Sequence, residues 1–587
     1  MTMSMISLSW AHLNCEFYAL QKNCYIPLLL LVLVLTACED VSTISHTQTQ
    51  ESAEGPQDQD HLENDFTPES KEDGAEATAA RIPLPGGLIN SEDQVVFFAP
   101  DDPTLSLELA LIDRVINDCR DLSRPSQCRI RYAVYNLTSE LLTQKLIKAA
   151  QEGIKVQVLI EADQLSSSRE WNLINERFIE AGLHVEYDQR YLTDSERKSA
   201  HLIGIDGRGL MHLKMRLFEA PSWKRLLTGS LNPNTTAHLN DETLHLINDE
   251  NLIYQYSIAY NSVLYNWPFY NSWNENTPIN VLFTPATSGQ RAIDKIFEWV
   301  AEEQEQILLM VFSLRDLSSE VQERTLSELL IDKAKAGVPV YVITDRKQSD
   351  GIGYDGQQDA TDDDMEDLLR AGGVPVYEAT NHLTPYTAMH HKIAILGRSK
   401  IRVISGAANW SRSGLGSKYS PARNTESVLF IDSFKLDHNY TGYRFLGQWI
   451  KTLHRYGHQS EQQDQEQAPD ELITKITSSE YWPRLDFSFQ VKLDRPEIHS
   501  LAVTGDLEQL GWWGTFGYHI LSQDEDSNDW HSLFSLSAPL GTPISWKLVS
   551  LRADGEIDQW EPRGHRFELL SLPIKLGEPT VLKGIWR

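Results

Sequence analysis

The chain has 587 residues, too many for one hydrophobic core, so three or four units are expected. At 41% hydrophobic and 23% charged its composition is ordinary for a soluble globular protein. Eighty-three acidic against 52 basic residues leave a formal charge of −31, which argues against a surface built mainly to hold nucleic acid but leaves room for a local basic pocket.

Residues Tyr25 to Leu35 form a short apolar run after Lys22 and lead into Leu35-Thr36-Ala37-Cys38. The run is too short to span a bilayer comfortably and fits the hydrophobic part of a signal peptide. Its ending resembles a bacterial lipobox. That implies a signal over 1–38 and Cys38 lipidated as the mature N-terminus, placing the protein in the bacterial cell envelope on a lipid anchor. An ordinary secretory signal or an uncleaved anchor are the alternatives. Residues 39–90 open with Glu, Asp, Gln, Ser and Thr and almost no large apolar side chains, an acidic tether that cannot bury enough surface to offset its ordering entropy. Cys119 and Cys128 bracket a Pro-containing loop and read either as a local disulfide or as two free thiols.

Two α/β units are expected over 91–278 and 279–458. In the first, Ile130–Tyr135 reads as a strand, Ser139–Glu152 as a helix stopped by Gly153, and Lys155–Ile160 as the next strand. The second repeats this order with Ile307–Phe312, Thr325–Ala336, Gly337 and Val338–Thr344. Helix, glycine, strand is a βαβ pattern and predicts a largely parallel sheet in each unit.

Each unit then carries one motif, the copies about 180 positions apart. The first is His212-Leu213-Lys214, Gly229-Ser230-Leu231-Asn232 and Asn240-Asp241-Glu242; the second is His390-His391-Lys392, Gly406-Ala407-Ala408-Asn409 and Asn424-Thr425-Glu426. On a strand of period two, His212, Lys214 and Arg216 face one way and Met211, Leu213, Met215 and Leu217 the other, toward a core. By the same alternation His391 turns away from His390 and Lys392, and is structural.

The doubled motif resembles the phospholipase D superfamily over about 360 residues. The resemblance implies two α/β repeats packed as a pseudo-dimer, in a monomer with an internal pseudo-twofold. The chemistry follows from the residue types. Cleaving an anionic diester needs charge neutralisation, an in-line nucleophile and an acid for the leaving oxygen, and two histidines can divide the last two roles. Lys214 and Lys392 supply positive charge, Asn232 and Asn409 donate hydrogen bonds, Ser230 contacts substrate, and Glu242 and Glu426 hold each imidazole in one tautomer. The family implies a phosphohistidine, assigned here to His212 with His390 as acid and then base; the reverse assignment stands as the alternative. No cofactor is called for, and no His/Asp/Glu cluster suggests a metal. The second copy departs from the pattern: Gly397 stands where the first has Glu219, and Ala407 where it has Ser230.

After a polar linker over 459–484, residues 485–587 change to short alternating runs such as Phe487–Leu493 and Trp546–Leu551, which predict an all-β sandwich. Leu510-Gly511-Trp512-Trp513, Trp530, Lys547 and Trp560-Glu561 resemble the starch-binding modules of carbohydrate-binding family 20. The resemblance implies Trp513 and Trp560 as stacking platforms for an α-glucan or related polysaccharide, with Lys547 and Glu561 as polar partners. His565 stands where that family usually has Asn; Trp530 reads as core.

Three functions are compatible with these features. The leading one is an exported phosphodiesterase acting on phospholipid head groups. A nuclease of the same superfamily is second, disfavoured by the acidic balance. The third is a non-catalytic glycan-binding surface lipoprotein.

Overall fold

A computed structural model describes residues 79–80, 84–85, 88, 94–120, 125–165, 174–207, 209–349, 365–381, 383, 387–457, 469–477, 482–513, 518–524, 527–562 and 564–586. The signal, Cys38 and most of the acidic tether lie outside the described residues.

The first sheet contains β1 (Val95–Ala99), β2 (Arg129–Val134), β3 (Lys155–Glu161), β4 (Val185–Glu186), β5 (Leu202–Ile205), β6 (Lys214–Ala220), β7 (Trp223–Gly229) and β8 (Glu242–Ile247), in the order β1-β8-β7-β6-β2-β3-β5-β4. A ribbon of β9 (Phe269–Tyr270) and β11 (Ala286–Ser288) links the halves. The second sheet has β10 (Ile279–Thr284), β12 (Ile307–Val311), β13 (Val340–Asp345), β14 (Val376–Ala379), β15 (Lys392–Leu396), β16 (Arg402–Gly406) and β17 (Glu426–Asp432), in the order β10-β17-β16-β15-β12-β13-β14. Strand for strand this is the first sheet again, without a counterpart to β4.

The sheets are mixed, which corrects the expectation of largely parallel ones. Only β2-β3, β3-β5 and β4-β5 in the first, and β12-β13 and β13-β14 in the second, run parallel. The βαβ pattern covers only those strands. Each His-x-Lys strand enters antiparallel to β2 or β12, and a meander to the Glu-bearing strand follows.

The helices start and stop where their chemistry directs. Ser139 caps Glu140–Gln151 by accepting from Leu142 N, and Thr325 with Glu328 forms a capping box on Leu326–Lys335. Gly153 and Gly337, at φ +86° and +90°, take the left-handed turn that ends each helix. Helices Thr104–Arg120 and Glu140–Gln151 cover the outer face of the first sheet, while Ala292–Glu302, Leu326–Lys335 and Met365–Ala371 cover that of the second. Between the sheets lie Glu250–Tyr265 and Tyr440–Tyr456, each packed on strands of both. Cys119 and Cys128 are joined as a disulfide.

The C-terminal domain is all-β: β18 (Arg484–Leu493), β19 (Leu501–Gly505), β20 (His519–Gln523), β21 (Asp529–Ser532), β22 (Leu536–Pro539), β23 (Pro543–Leu551), β24 (Ile557–Trp560), β25 (Arg566–Leu569) and β26 (Thr580–Trp586). Its strands pair antiparallel except β26 with β18. Along β18 every second residue, Leu485, Phe487, Phe489, Val491 and Leu493, is buried. Trp530 and Trp546 are core residues. Two stretches differ from expectation. Within the linker, Pro469–Thr477 is a helix whose Leu472, Ile473 and Ile476 join the core, and at the end of the tether Leu88 is buried. In both, a few apolar side chains amid polar sequence suffice to dock the segment.

Among the described residues no helix is long and apolar enough to cross a membrane.

Candidate active site at the seam between the repeats

The site is built by backbone exchange between the halves. Regular strand structure begins at Lys214 and Lys392, so each histidine sits on an extended lead-in whose partner belongs to the other repeat. Met211 bridges Thr425 in parallel, and Met389 bridges Asp241 likewise. His212 N donates to Thr425 O at 3.0 Å, and His390 N to Asp241 O at 3.0 Å.

This parallel crossing explains the Asn-x-Glu motif. Asn424 Oδ1 accepts from Leu210 N at 3.1 Å, two residues before His212; Asn240 Oδ1 accepts from Ala388 N at 3.0 Å, two before His390. Two residues further along each strand, Glu426 meets His212 Nδ1 at 2.7 and 2.8 Å, and Glu242 meets His390 Nδ1 at 2.7 Å. Each half therefore orients the histidine of the other. A carboxylate can only accept, so Nδ1 carries the proton in both rings and Nε2 is left for chemistry.

The lysines follow by alternation. Lys214 Nζ lies 2.9 Å from His212 Nε2 and donates to His212 O at 3.2 Å; Lys392 Nζ donates to His390 O at 3.1 Å. Tyr135 packs edge-on to His212 and Phe312 edge-on to His390, at ring separations of 5.4 and 4.6 Å. Both histidines and both lysines are buried.

The Gly-small-x-Asn turns have a steric reason. A Cβ on Gly229 would lie 2.1 Å from Thr243 O, and one on Gly406 2.3 Å from Ser427 O, so only glycine lets the next strand close over the turn. Ser230 donates to Glu242 Oε2 at 2.6 Å and accepts from Thr243 N at 2.8 Å. It orients the orienting carboxylate, to which its hydroxyl proton is committed. Ala407, its counterpart, offers Glu426 no such bond. Asn232 and Asn409 are buried on these turns.

His391 points away from His390: its Nδ1 meets Thr243 Oγ1 at 2.8 Å, it packs near Phe98, and burial holds its pKa far below the usual histidine range. Arg216 is fully buried, with Nε on Glu108 Oε1 at 3.2 Å and Nη1 donating to Leu231 O at 2.8 Å, inside the first Gly-Ser-x-Asn turn. Glu219 pairs with Arg131 away from the histidines, and Gly397 forms a turn at φ +86°.

Sequence reasoning missed a second pair of acids. Glu161 ends β3 and accepts from Met211 N at 2.5 Å; Asp345 ends β13 and accepts from Met389 N at 3.0 Å. Burial raises Glu161 to about 8 and Asp345 to about 6. Aligning the two repeats would have found them, since an acid closes the same apolar strand in both. Also missed was Arg455, whose guanidinium meets Asp241 Oδ1 at 2.6 Å beneath the His390 lead-in. Among the described residues no group of three or more His, Cys, Asp or Glu is set to hold a metal ion.

In the C-terminal domain Lys547 is half-buried on β23, and Trp560 on β24 opposite Val549 is exposed. Trp513 is half-buried, 5.3 Å from the His565 ring, and Trp512 is the more exposed of the pair. Gly511, Trp512 and Trp513 all have positive φ (+78°, +49° and +61°), a strained turn of the kind found at ligand sites. Glu561 is a correction. It is buried and grips Arg566 at 2.6 and 2.7 Å, so its carboxylate braces the fold and is not presented to a sugar.

Comparison with known proteins agrees with this division. The family described as cardiolipin synthase, PLD-like domain, matches residues 120–264 and 300–443, and the starch binding domain matches 485–570. No curated protein matches the chain. Similar solved structures include polyphosphate kinase from Porphyromonas gingivalis (15% identity, 70% of this chain and 56% of that one, TM-score 0.41). Phosphatidylserine synthase from Haemophilus influenzae aligns at 11% identity over 69% of this chain and 97% of that one, TM-score 0.42. Nuc from Salmonella typhimurium, a phospholipase D family member, aligns at 17% over 30% and 95%, TM-score 0.23. The chain thus spans little more than half the length of the polyphosphate kinase. Two interleaved repeats matched by one family, and a third domain matched by another, lead to one conclusion: this chain carries a phospholipase D-like domain in two segments followed by a starch-binding domain.

Proposed function

We propose that this protein is a phosphodiesterase of the cell envelope that cleaves, or transfers, phospholipid head groups through a phosphohistidine. The observation that carries the proposal is the crossed pairing of His212 with Glu426 and His390 with Glu242. In this scheme Nε2 of His212 attacks phosphorus while His390, which enters the step with a proton on each ring nitrogen, gives its Nε2 proton to the leaving alkoxide. Water or an alcohol then gives its proton to His390 and attacks phosphorus, breaking the P–N bond and freeing His212. Lys214 and Lys392 neutralise the non-bridging oxygens, and Asn232 and Asn409 donate hydrogen bonds to them. His212 is taken as the nucleophile and His390 as acid and then base, with the reverse assignment as the alternative. Export and a lipid anchor on Cys38 would hold the enzyme, as a monomer, beside membrane substrates, with the starch-binding domain engaging polysaccharide.

Choline release from phosphatidylcholine vesicles tests the reading. Wild-type turnover abolished by both His212→Ala and His390→Ala supports it. Turnover of single-stranded DNA in preference to vesicles would replace it with the nuclease reading, and no turnover of either would leave only glycan binding.

A further inference from the structure

A cavity of about 1180 Å³ lies away from His212 and His390, where the C-terminal domain meets the end of helix Tyr440–Tyr456. Neither Trp513, Lys547 nor Trp560 lines it. One wall carries Lys451, His454 and Arg455 from the helix; the other carries Phe567 and Glu568 from β25, with Glu578 and Lys583 further on. The walls are fastened together: Tyr440 donates to Pro573 O and Arg444 to Leu572 O, each at 2.8 Å.

We propose that this cavity is a second carbohydrate-binding site, distinct from the Trp513/Trp560 face. Its charges balance, with Lys451, Arg455 and Lys583 set against Asp101, Glu568 and Glu578, so it offers no net attraction to an anion or a cation. A neutral polyhydroxyl ligand suits such a lining, because hydroxyls donate to the carboxylates and accept from the cations. Hydrogen bonds to charged groups are the stronger kind. Phe567 supplies the flat apolar surface: His454 stacks on it at 4.5 Å and 16°, yet the residue stays 44% exposed. The volume exceeds the usual range for small-molecule pockets, roughly 300–1,000 Å³, and fits an extended chain better than one ring. Arg455 also binds Asp101 at 2.9 and 3.0 Å and Asp241 at 2.6 Å, so a saccharide here touches the side chain that supports the His390 lead-in.

The test is calorimetric titration of the full chain with maltoheptaose, a binding readout independent of diesterase activity. The Trp513→Ala/Trp560→Ala variant should retain one saturable site, and adding Phe567→Ala or, with less change of shape, Glu568→Gln should weaken it at least tenfold. No binding by the double tryptophan variant, or residual binding indifferent to both cavity substitutions, would overturn the proposal.

Discussion

Glu426 gives both carboxylate oxygens to Nδ1 of His212, at 2.7 and 2.8 Å, across the seam between the repeats. Its counterpart Glu242 divides its oxygens between His390 and Ser230. The asymmetry traces to Ala407, which stands in place of a serine and leaves Glu426 without the hydroxyl contact that Glu242 has.

Loss of that anchor should be kinetic. Glu426→Gln and Glu242→Gln keep the shape but let Nδ1 accept instead of donate, so the wrong tautomer competes. Neither carboxylate is placed to touch substrate, so kcat should fall by on the order of 10²–10⁴ with KM nearly unchanged. Steady-state kinetics on a soluble phosphodiester checks this; a change confined to KM contradicts it.

The buried Arg216–Glu108 pair supports the first turn and has no equivalent in the second repeat, where Ala394 takes the position of Arg216. Glu108→Ala strands a guanidinium in the core and should cost about 3–5 kcal/mol. Urea unfolding of the variant reads this directly; a cost under about 1 kcal/mol would mean that water or a rearranged neighbour satisfies Arg216.

Glu161 makes stability depend on pH. Its folded pKa of about 8 lies above the ordinary glutamate value, so between the two the folded chain holds the extra proton. Its contribution is therefore fully present at low pH and is lost as pH rises toward about 8. Glu161→Gln keeps an acceptor for Met211 N without the titration, so its melting temperature should decline less than that of the wild type between pH 5 and 8. Parallel declines would show that Glu161 is ionised throughout.

In the C-terminal domain, Trp560→Ala should weaken amylose retention at least tenfold without lowering stability, because the indole is exposed. Glu561→Ala should do the reverse, unfolding earlier because Arg566 loses its buried partner. Retention and thermal melts on the same two variants separate these roles.

Much of this was legible from residue order. The repeated helix-glycine-strand pattern located β2, β3, β12 and β13 to within a residue or two. The alternation around His212 and His391 sorted core from site side chains correctly, since a strand leaves no choice of face. What stayed hidden depends on contacts between distant segments. Nothing local says that β6 will run antiparallel to β2, that Asn424 will reach Leu210, or that Glu561 will be spent on Arg566. The acids Glu161 and Asp345 were hidden for a different reason: in one sequence a carboxylate at a strand end looks like any loop residue until the repeats are superimposed.

The central claim is that two imidazoles from separate repeats act on one phosphorus, His212 as nucleophile. Turnover of a ³²P-labelled diester, quenched with denaturant at alkaline pH where the P–N bond survives and followed by peptide mapping at that pH, tests it most directly. The account predicts label on His212 in the wild type and none in His212→Ala. Label on His390 instead, or turnover with no labelled histidine, would contradict it.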